Sequence, residues 1–351
     1  MSNRGELSVL ACRSGKEFGE RVVSELSDIV GKTQDAGAGI SEDFKVELCP
    51  TRTIDFRNGE MDVEILRGIR GKDVYLIQCC DDPSSSRSIN DNIMEMLIYV
   101  DAIVRGQPAH ITLVTPNYPY ARKDAATGRD AISSKLIADL IHAAGVQQIM
   151  IVDLHSRQVQ GNFPRTMGFD NLNIYSLTVD YLKKYFDNAT GDVVIVSPDA
   201  GGAKRARDVA EYFGCRWALS EKTRTAPGEV GDVYIMDKVS GLRAVILDDI
   251  IDSGNTTEKT VEALQKKRVN DILVYCTHPI FSNPATEILS RLHRDGKIVR
   301  VVGTDTIPHP GNYLEKNTWF HQISVAPLVA HAVYRVNRQD SVSELYTPQR
   351  R

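Results

Sequence analysis

Short apolar runs recur along the chain, and each is followed by a polar loop and then by apolar residues at helical spacing. This alternation predicts mostly parallel sheets flanked by helices, an α/β fold, rather than a sandwich or a helical bundle. The predicted strands are residues 74–78, 111–115, 149–154, 193–197, 244–247 and 272–276. The clearest predicted helices cover residues 89–106, 132–145 and 203–214, and residues 321–337 are typical of a strand followed by a helix.

A chain of 351 residues is too long for one ordinary core and fits two domains. Both halves contain a strand–loop–helix unit, which predicts two related α/β domains joined near residues 169–177. We expect an N-terminal domain over 1–170, completed by the C-terminal helix 326–340, and a C-terminal domain over 171–325. Residues 31–43 are Gly-rich, polar and aperiodic, which is typical of a surface loop.

The most informative segment is 244–260, AVILDDIIDSGNTTEKT, where a predicted strand leads into an acidic, hydroxyl-rich loop and then a helix. Backbone N–H groups and the helix dipole of such a loop bind an anion. Asp248 and Asp249, expected at the strand's end, would repel a lone phosphate unless they hold sugar hydroxyls or a bridging cation such as Mg²⁺. A phosphorylated sugar meets that condition, and an ordinary acidic helix cap is the alternative.

A second segment, VSPDAGGAKRARDVAEYFG at 196–214, has the same layout. Its Gly201–Gly202 pair lets backbone approach a phosphate closely, and Asp199 suits a metal or a water held against the ligand. The cations Lys204, Arg205 and Arg207 that follow are better interpreted as a solvated helix face.

The segment at 151–161 places Asp153 and His155 after a strongly apolar strand. Strand alternation predicts that both side chains share one face, where a neutral imidazole coordinates a cation or contacts a phosphate. A hydrogen-bonded structural histidine is the alternative interpretation.

Three further segments carry weaker signals. Residues 117–133 combine aromatic side chains with Arg122 and Lys123, which suits a nucleotide triphosphate. Residues 52–65 place Phe56, Asn58 and Glu60 on one turn, either a simple hairpin loop or a nucleotide contact. Residues 220–231 hold two cations, Lys222 and Arg224, either on a solvated loop or on an arm that neutralises a reacting phosphoryl group.

Composition argues against two classes of binding partner, nucleic acids and membranes. A net charge of -4 and a pI near 6.1 argue against a nucleic-acid-binding surface. No stretch approaches the roughly 20 apolar residues of a membrane span, and the first residues lack a signal-peptide layout, so we expect a cytoplasmic protein without a membrane partner. The six cysteines form neither a metal-type pair nor a disulfide framework, which favours reduced thiols.

These motifs together resemble the ribose-phosphate pyrophosphokinase family. The resemblance runs from about Leu7 to Tyr346 through FRNGE, YARKD, IVDLHSRQVQG, VSPDAGGAKRA, EKTR, DDIIDSGNT and THPIFS, in the family's order. It implies two phosphoribosyltransferase-like domains and a ribose-phosphate diphosphokinase, which transfers pyrophosphate from MgATP to the C1 hydroxyl of ribose 5-phosphate and releases AMP. It also implies self-association, usually as a hexamer built from dimers, in which the FRNGE-type loop reaches a neighbouring subunit's site.

The resemblance assigns roles by position. The implied catalytic residues are Lys222, Arg224 and His155, and His155 and Asp199 are the implied Mg²⁺ positions. The implied ribose 5-phosphate site comprises Asp248, Asp249, Asp252, Ser253, Gly254, Asn255 and Thr256. The implied ATP site comprises Phe56, Asn58, Gly59, Glu60, Arg122 and Lys123.

The chain departs from the family's pattern at several positions. Asn255 stands where the phosphate loop usually has glycine; asparagine tolerates a left-handed conformation, so we expect phosphate binding to survive with altered affinity. Lys123 replaces a usual glutamine, and the loop after Asp124 is shorter and less basic, which puts the usual regulation by phosphate and ADP in doubt. Two other functions compete with the diphosphokinase, a phosphoribosyltransferase and a non-catalytic subunit associated with an active enzyme.

Overall fold

The computed structural model describes residues 4–35, 46–126, 128–222 and 233–345. These residues form two compact units. The first contains the described residues of Met1–Leu172, together with Thr306–Pro308 and Ser324–Leu345. The second contains the described residues of Asn173–Asp305 together with His309–Ile323.

The first unit is built around a parallel sheet of five strands in the order β1-β4-β5-β6-β7. A separate antiparallel hairpin, β2–β3, precedes β4 in the chain. The elements are β1 (Leu7–Ala11), α1 (Lys16–Asp35), β2 (Thr51–Asp55), β3 (Met61–Ile65), β4 (Asp73–Ile77), α2 (Ile89–Arg105), β5 (His110–Val114), α3 (Ser133–Ala144), β6 (Gln148–Val152) and β7 (Gly168–Leu172). A short 3₁₀ segment, Arg13–Gly15, follows β1.

The second unit contains a seven-stranded sheet in the order β10-β9-β8-β11-β12-β13-β14. All neighbours are parallel except β9 and β10. The elements are α4 (Tyr175–Tyr185), β8 (Val193–Ser197), α5 (Ala203–Phe213), β9 (Arg216–Lys222), β10 (Val233–Ile235), β11 (Arg243–Ile251), α6 (Asn255–Lys266), β12 (Ile272–Pro279), α7 (Ala285–Arg294), β13 (Arg300–Thr304), α8 (Gly311–Lys316) and β14 (Phe320–Ile323). The chain then returns to the first unit as α9 (Ala326–Arg338), which packs against α1.

The central strands are apolar on both faces because helices cover both sides of a parallel sheet. Every residue of β4 and of β8 is buried. The longer helices are amphipathic, and α2 begins with a capping box in which the Ser88 side chain accepts from Asp91 N while the Asp91 carboxylate accepts from Ser88 N. All six predicted strands and all three predicted helices are confirmed, and so are the strand and helix at 321–337.

Several element ends differ from prediction. Residues 31–35 belong to α1, so the predicted loop over 31–43 is wrong there; the helix continues past Val30, which is buried in the core. Residues 36–43 lie outside the described residues. Strand β6 ends at Val152 rather than 154 because Asp153 has φ 44°, which no strand accommodates. Strand β11 runs four residues beyond 247, to Ile251.

Among the described residues, no helix is long and apolar enough to cross a membrane.

Candidate functional site

The strand order of the second unit reverses between β8 and β11. From β8 the chain moves outward to β9 and β10, and then returns to β11 on the other side of β8. In parallel α/β sheets this reversal opens a crevice at the carboxyl ends of the two strands, because their following helices leave in different directions. The two loops that the sequence singles out, after β8 and after β11, both begin there.

The loop after β8 is folded tightly on itself. Ser197 Oγ donates to the carbonyl of Asp199 over 2.7 Å, and Gly202 N donates to Asp199 Oδ1 over 3.1 Å. A Cβ at Gly202 would stand 2.7 Å from Ser197 Oγ, closer than real Cβ atoms come to any neighbour, so this position requires glycine. The Asp199 carboxylate is therefore held at the entrance of α5, beside the positive end of that helix.

The carboxylates of Asp248 and Asp249 lie within β11 rather than at its end. The expectation that they follow the strand is wrong, because β11 continues in register with β12 through Ile251. Their side chains leave adjacent positions of the strand, and Asp249 N donates to Asp248 Oδ1 over 2.9 Å. Both acids nevertheless belong to the strand's carboxyl-terminal half, close to the loop that follows.

The guanidinium of Arg205 balances part of this negative charge. Arg205 of α5 lies 3.3 Å from Asp249 Oδ1, with side-chain exposures of 12% and 8%. Burial raises the pKa of Asp248, and the neighbouring charges of Asp249 and Asp199 raise it further, whereas Arg205 opposes the shift. The raised pKa of Asp248 indicates that the cluster favours a ligand that brings hydroxyl donors or a metal ion.

The interpretation of Arg205 as part of a solvated helix face is wrong. Lys204 and Arg207 are exposed as predicted, with side-chain exposures of 53% and 56%, but Arg205 turns toward β11. The sequence does contain a signal for the burial of Arg205. It lies beside Ala206 and Val209, which are fully buried and mark the core face of α5.

The loop after β11 has the geometry of an anion cradle. Gly254 caps α6 with φ 79°, and a Cβ there would meet Ala285 Cα at 3.3 Å. Asn255 is the first residue of α6, and the left-handed residue of this loop is Gly254. Asp252, Ser253 and Thr256 are half-buried around the turn, and the first N–H groups of a twelve-residue helix are directed toward its start.

The FRNGE loop forms the tip of the β2–β3 hairpin in the first unit. Phe56 N donates to the carbonyl of Glu60 over 2.8 Å, and Gly59 N donates to the carbonyl of Phe56 over 3.0 Å. Glu60 N in turn donates to Asn58 Oδ1 over 3.2 Å. All five residues from 56 to 60 are exposed, so the hairpin interpretation is correct and the side chains are accessible to a ligand.

The other predicted residues of the first unit follow β5 and β6. Arg122 is exposed, and Lys123 Nζ lies 2.7 Å from Asp130 Oδ2. His155 is exposed and Asp153 is 5% exposed, and the expectation that they share one face was based on a strand that ends before both, at Val152. The left-handed backbone at Asp153 ends the alternation on which that expectation depended.

Lys222 is the last residue of β9, where its backbone pairs with Val233 of β10. Arg224 lies outside the described residues. Within the described ranges, no group of three or more His, Cys, Asp or Glu side chains is arranged to hold a metal ion by itself.

Comparison with known proteins assigns the chain to a family. Residues 7–145 match the N-terminal domain of ribose phosphate pyrophosphokinase, and residues 168–305 match the phosphoribosyl transferase domain. The ribose-phosphate pyrophosphokinase of Aquifex aeolicus is 38% identical over 293 residues, covering 83% of this chain and 89% of its own. That of Bacillus subtilis is 35% identical over 343 residues, 97% of each chain.

A solved structure agrees with these sequence matches. The phosphoribosylpyrophosphate synthetase of Mycobacterium smegmatis superposes with a TM-score of 0.80 at 30% identity, covering 95% of this chain and 99% of its own. The matches confirm the predicted fold, two phosphoribosyltransferase-like α/β domains, and the predicted ribose-phosphate diphosphokinase activity. The chain belongs to the ribose-phosphate pyrophosphokinase family.

Proposed function

We propose that the anion cradle of the second unit binds ribose 5-phosphate and presents its C1 hydroxyl to the β-phosphorus of ATP. The hydroxyl oxygen forms a bond to the β-phosphorus and its proton is released to solvent; the bond from that phosphorus to the α,β-bridging oxygen breaks, and AMP leaves with that oxygen. The observation that carries the proposal is the placement of two phosphate-type loops and an acid pair at the point where the strand order reverses.

The loop from Asp252 to Thr256 holds the 5-phosphate in this proposal. The backbone N–H groups at the start of α6 and the hydroxyls of Ser253 and Thr256 supply donors without a full positive charge. Asp248 and Asp249 accept hydrogen bonds from the ribose hydroxyls, which a lone phosphate would not provide. The cradle therefore selects a phosphorylated sugar over inorganic phosphate.

Mg²⁺ is the proposed cofactor, with His155 and Asp199 as its protein positions. When bound with ATP it neutralises phosphate charge and polarises the phosphorus that is attacked. Magnesium keeps several waters and uses substrate phosphates as ligands, so it needs no cluster of three protein side chains. The raised pKa of Asp248, caused by burial and neighbouring carboxylates, indicates a region that favours added positive charge.

The remaining roles follow the same chemistry. Lys222 and Arg224 are proposed to neutralise charge that develops on the transferred phosphoryl group, so they act in the transition state. Phe56, Asn58, Gly59 and Glu60, with Arg122 and Lys123, are proposed to bind ATP; the exposed Phe56 ring offers a surface for stacking on the adenine base.

We further propose a homo-oligomer, a hexamer built from dimers, that works in the cytoplasm. The exposed FRNGE loop supports self-association because it presents its side chains away from its own core. The six cysteines all lie in the described part of the chain and none forms a disulfide, which supports a reducing compartment.

The decisive experiment follows the label from ATP carrying ³²P at the β-phosphorus. Incubation with ribose 5-phosphate and Mg²⁺ is expected to move the label into a phosphoribosyl product, with one AMP formed per product. Removal of metal with EDTA stops the reaction, and Mg²⁺ restores it. A phosphoribosyltransferase would instead consume the phosphoribosyl product with a base and without ATP. A chain that binds ribose 5-phosphate but never yields AMP would be a non-catalytic subunit, and either result refutes the proposal.

A further inference from the structure

The FRNGE loop is held at both ends by one charged network. Arg13 Nη1 and Nη2 bind the two carboxylate oxygens of Asp55 at 2.6 and 3.0 Å, and Asp55 is the residue immediately before Phe56. On the other side of the loop, Arg13 Nη2 and Arg87 Nη2 approach the sulfur of Met61 at 3.9 and 3.8 Å. Met61 immediately follows Glu60, so the two guanidiniums contact both flanks of the five-residue loop.

A buried carboxylate fixes both guanidiniums. Glu95 of α2 has 0% exposure, and its Oε1 accepts from Arg13 N at 2.9 Å. Its Oε2 lies 3.2 Å from Arg13 Nε and 3.2 Å from Arg87 Nη2. A fully buried acid costs several kcal/mol unless it is paired and hydrogen-bonded, so the two arginines cannot easily leave it. Glu95 thus determines where the guanidiniums lie.

The same network favours the ionised form of Asp55, the exposed carboxylate at its end. Hydrogen bonding to Arg13 lowers the pKa of Asp55, and the charge of Arg87 lowers it further. Asp55 therefore stays ionised at neutral pH and keeps its two-pronged contact with Arg13, a geometry that only a planar guanidinium provides. The loop is connected to the core of its unit through charge-assisted bonds rather than through apolar packing of its own side chains.

We propose that Glu95, acting through Arg13 and Arg87, is a positioning residue for ATP binding. It holds the FRNGE loop in the geometry that contacts the nucleotide. This inference rests on the proposed function, because it takes the loop to be an ATP contact. Glu95 itself touches no substrate, and its effect is confined to the nucleotide.

The test compares Glu95→Gln with a matched control, Glu64→Gln. Both substitutions remove one negative charge, but Glu64 pairs with Arg52 across the exposed strands of the same hairpin and does not contact the loop. Glu95→Gln is expected to raise the KM for ATP between about ten- and a hundredfold, because small displacements of a binding group have such effects. Its kcat and its KM for ribose 5-phosphate should stay within about twofold of the parent values, and Glu64→Gln should change none of them.

Hydrogen exchange measured without nucleotide tests the network independently of catalysis. Mass spectrometry of peptides that span residues 52–64 should show faster exchange at Phe56 and Gly59 in Glu95→Gln and no change in Glu64→Gln. If Glu95→Gln does not fold, Arg13→Lys serves instead: it keeps the charge but loses the two-pronged contact with Asp55 and should raise the KM for ATP in the same way.

The outcomes separate the two proposals. Unchanged exchange in a folded Glu95→Gln variant refutes the network, whatever the enzyme does. Faster exchange with an unchanged KM for ATP shows that the loop does not bind nucleotide and refutes the positioning role. An unmodified protein that forms no AMP refutes the proposed function, while the exchange data still decide whether Glu95 orders the loop.

Discussion

Arg205→Met tests whether one guanidinium maintains the acid cluster of the second unit. Methionine has a similar length and fits the apolar surroundings of α5, so the substitution removes the charge with little change in volume. Asp249 would then lie beside Asp248 without its cation 3.3 Å away. We expect the second unit to lose stability and its affinity for ribose 5-phosphate to fall.

The magnitude follows from the distance and burial of the pair. At 3.3 Å and an effective dielectric constant of about 20, the attraction between Arg205 and Asp249 is about 5 kcal/mol. Removing one partner of a buried pair typically costs 3–5 kcal/mol. Because both side chains retain slight exposure, we expect a loss of about 3 kcal/mol in the free energy of unfolding at neutral pH.

Both tryptophans of the chain, Trp217 and Trp319, lie in the second unit, so their fluorescence during urea unfolding reports on this unit. The control is Arg207→Met on the same helix, where a 56% exposed side chain should change stability by no more than about 0.5 kcal/mol. A double-mutant cycle with Asp249→Asn completes the test. Equal effects of Arg205→Met and Arg207→Met, or additive effects of Arg205→Met and Asp249→Asn, would refute the electrostatic argument.

Three further predictions concern the loops. Gly254→Ala and Gly214→Ala both place a Cβ on left-handed backbone, at φ 79° and 86°, which should lower the free energy of unfolding by about 1 kcal/mol for Gly214→Ala. Gly254→Ala should cost more, because its Cβ also meets Ala285 Cα at 3.3 Å whereas Gly214 has nothing within 4 Å. By titration calorimetry, Gly254→Ala alone should weaken ribose 5-phosphate binding, and equal binding would remove the loop from the site. Gly202→Ala forces a Cβ to 2.7 Å from Ser197 Oγ and should lower kcat/KM roughly tenfold. The control is Gly191→Ala, whose added Cβ has no heavy atom within 4 Å and should leave steady-state rates unchanged. Lys222→Ala should lower kcat by roughly 10²–10³-fold with an unchanged Kd for ribose 5-phosphate, and an unchanged kcat would exclude Lys222 from the transition state.

Apolar patterning was sufficient to identify the strands and their loops. Central parallel strands are buried on both faces, so their composition is apolar throughout and does not depend on which strand lies beside them. The glycines, acids and hydroxyls after 193–197 and after 244–247 likewise follow from what a phosphate requires of nearby backbone. These properties depend only on residues that are neighbours in the sequence, and they identified the fold class and the candidate loops.

Other features depended on contacts between segments distant in sequence. Strand β11 extends through both acids because β12 supplies hydrogen-bond partners as far as Pro279. Arg205 is a functional candidate because β11 lies next to α5 and carries Asp249, which no local pattern indicates. The left-handed residue of the cradle, Gly254, lies so close to α7 that a Cβ there would meet Ala285 Cα at 3.3 Å.

The sequence alone therefore determined the kinds of elements, the family and the candidate phosphate loops, since each depends on neighbouring residues along the chain. The tertiary structure decided the crevice between β8 and β11, the cation that partners Asp249, and the network through which Glu95 holds residues 56–60. Charge pairs and strand neighbours are brought together by folding across tens of residues, and side-chain periodicity carries no information about which partner a distant segment will meet.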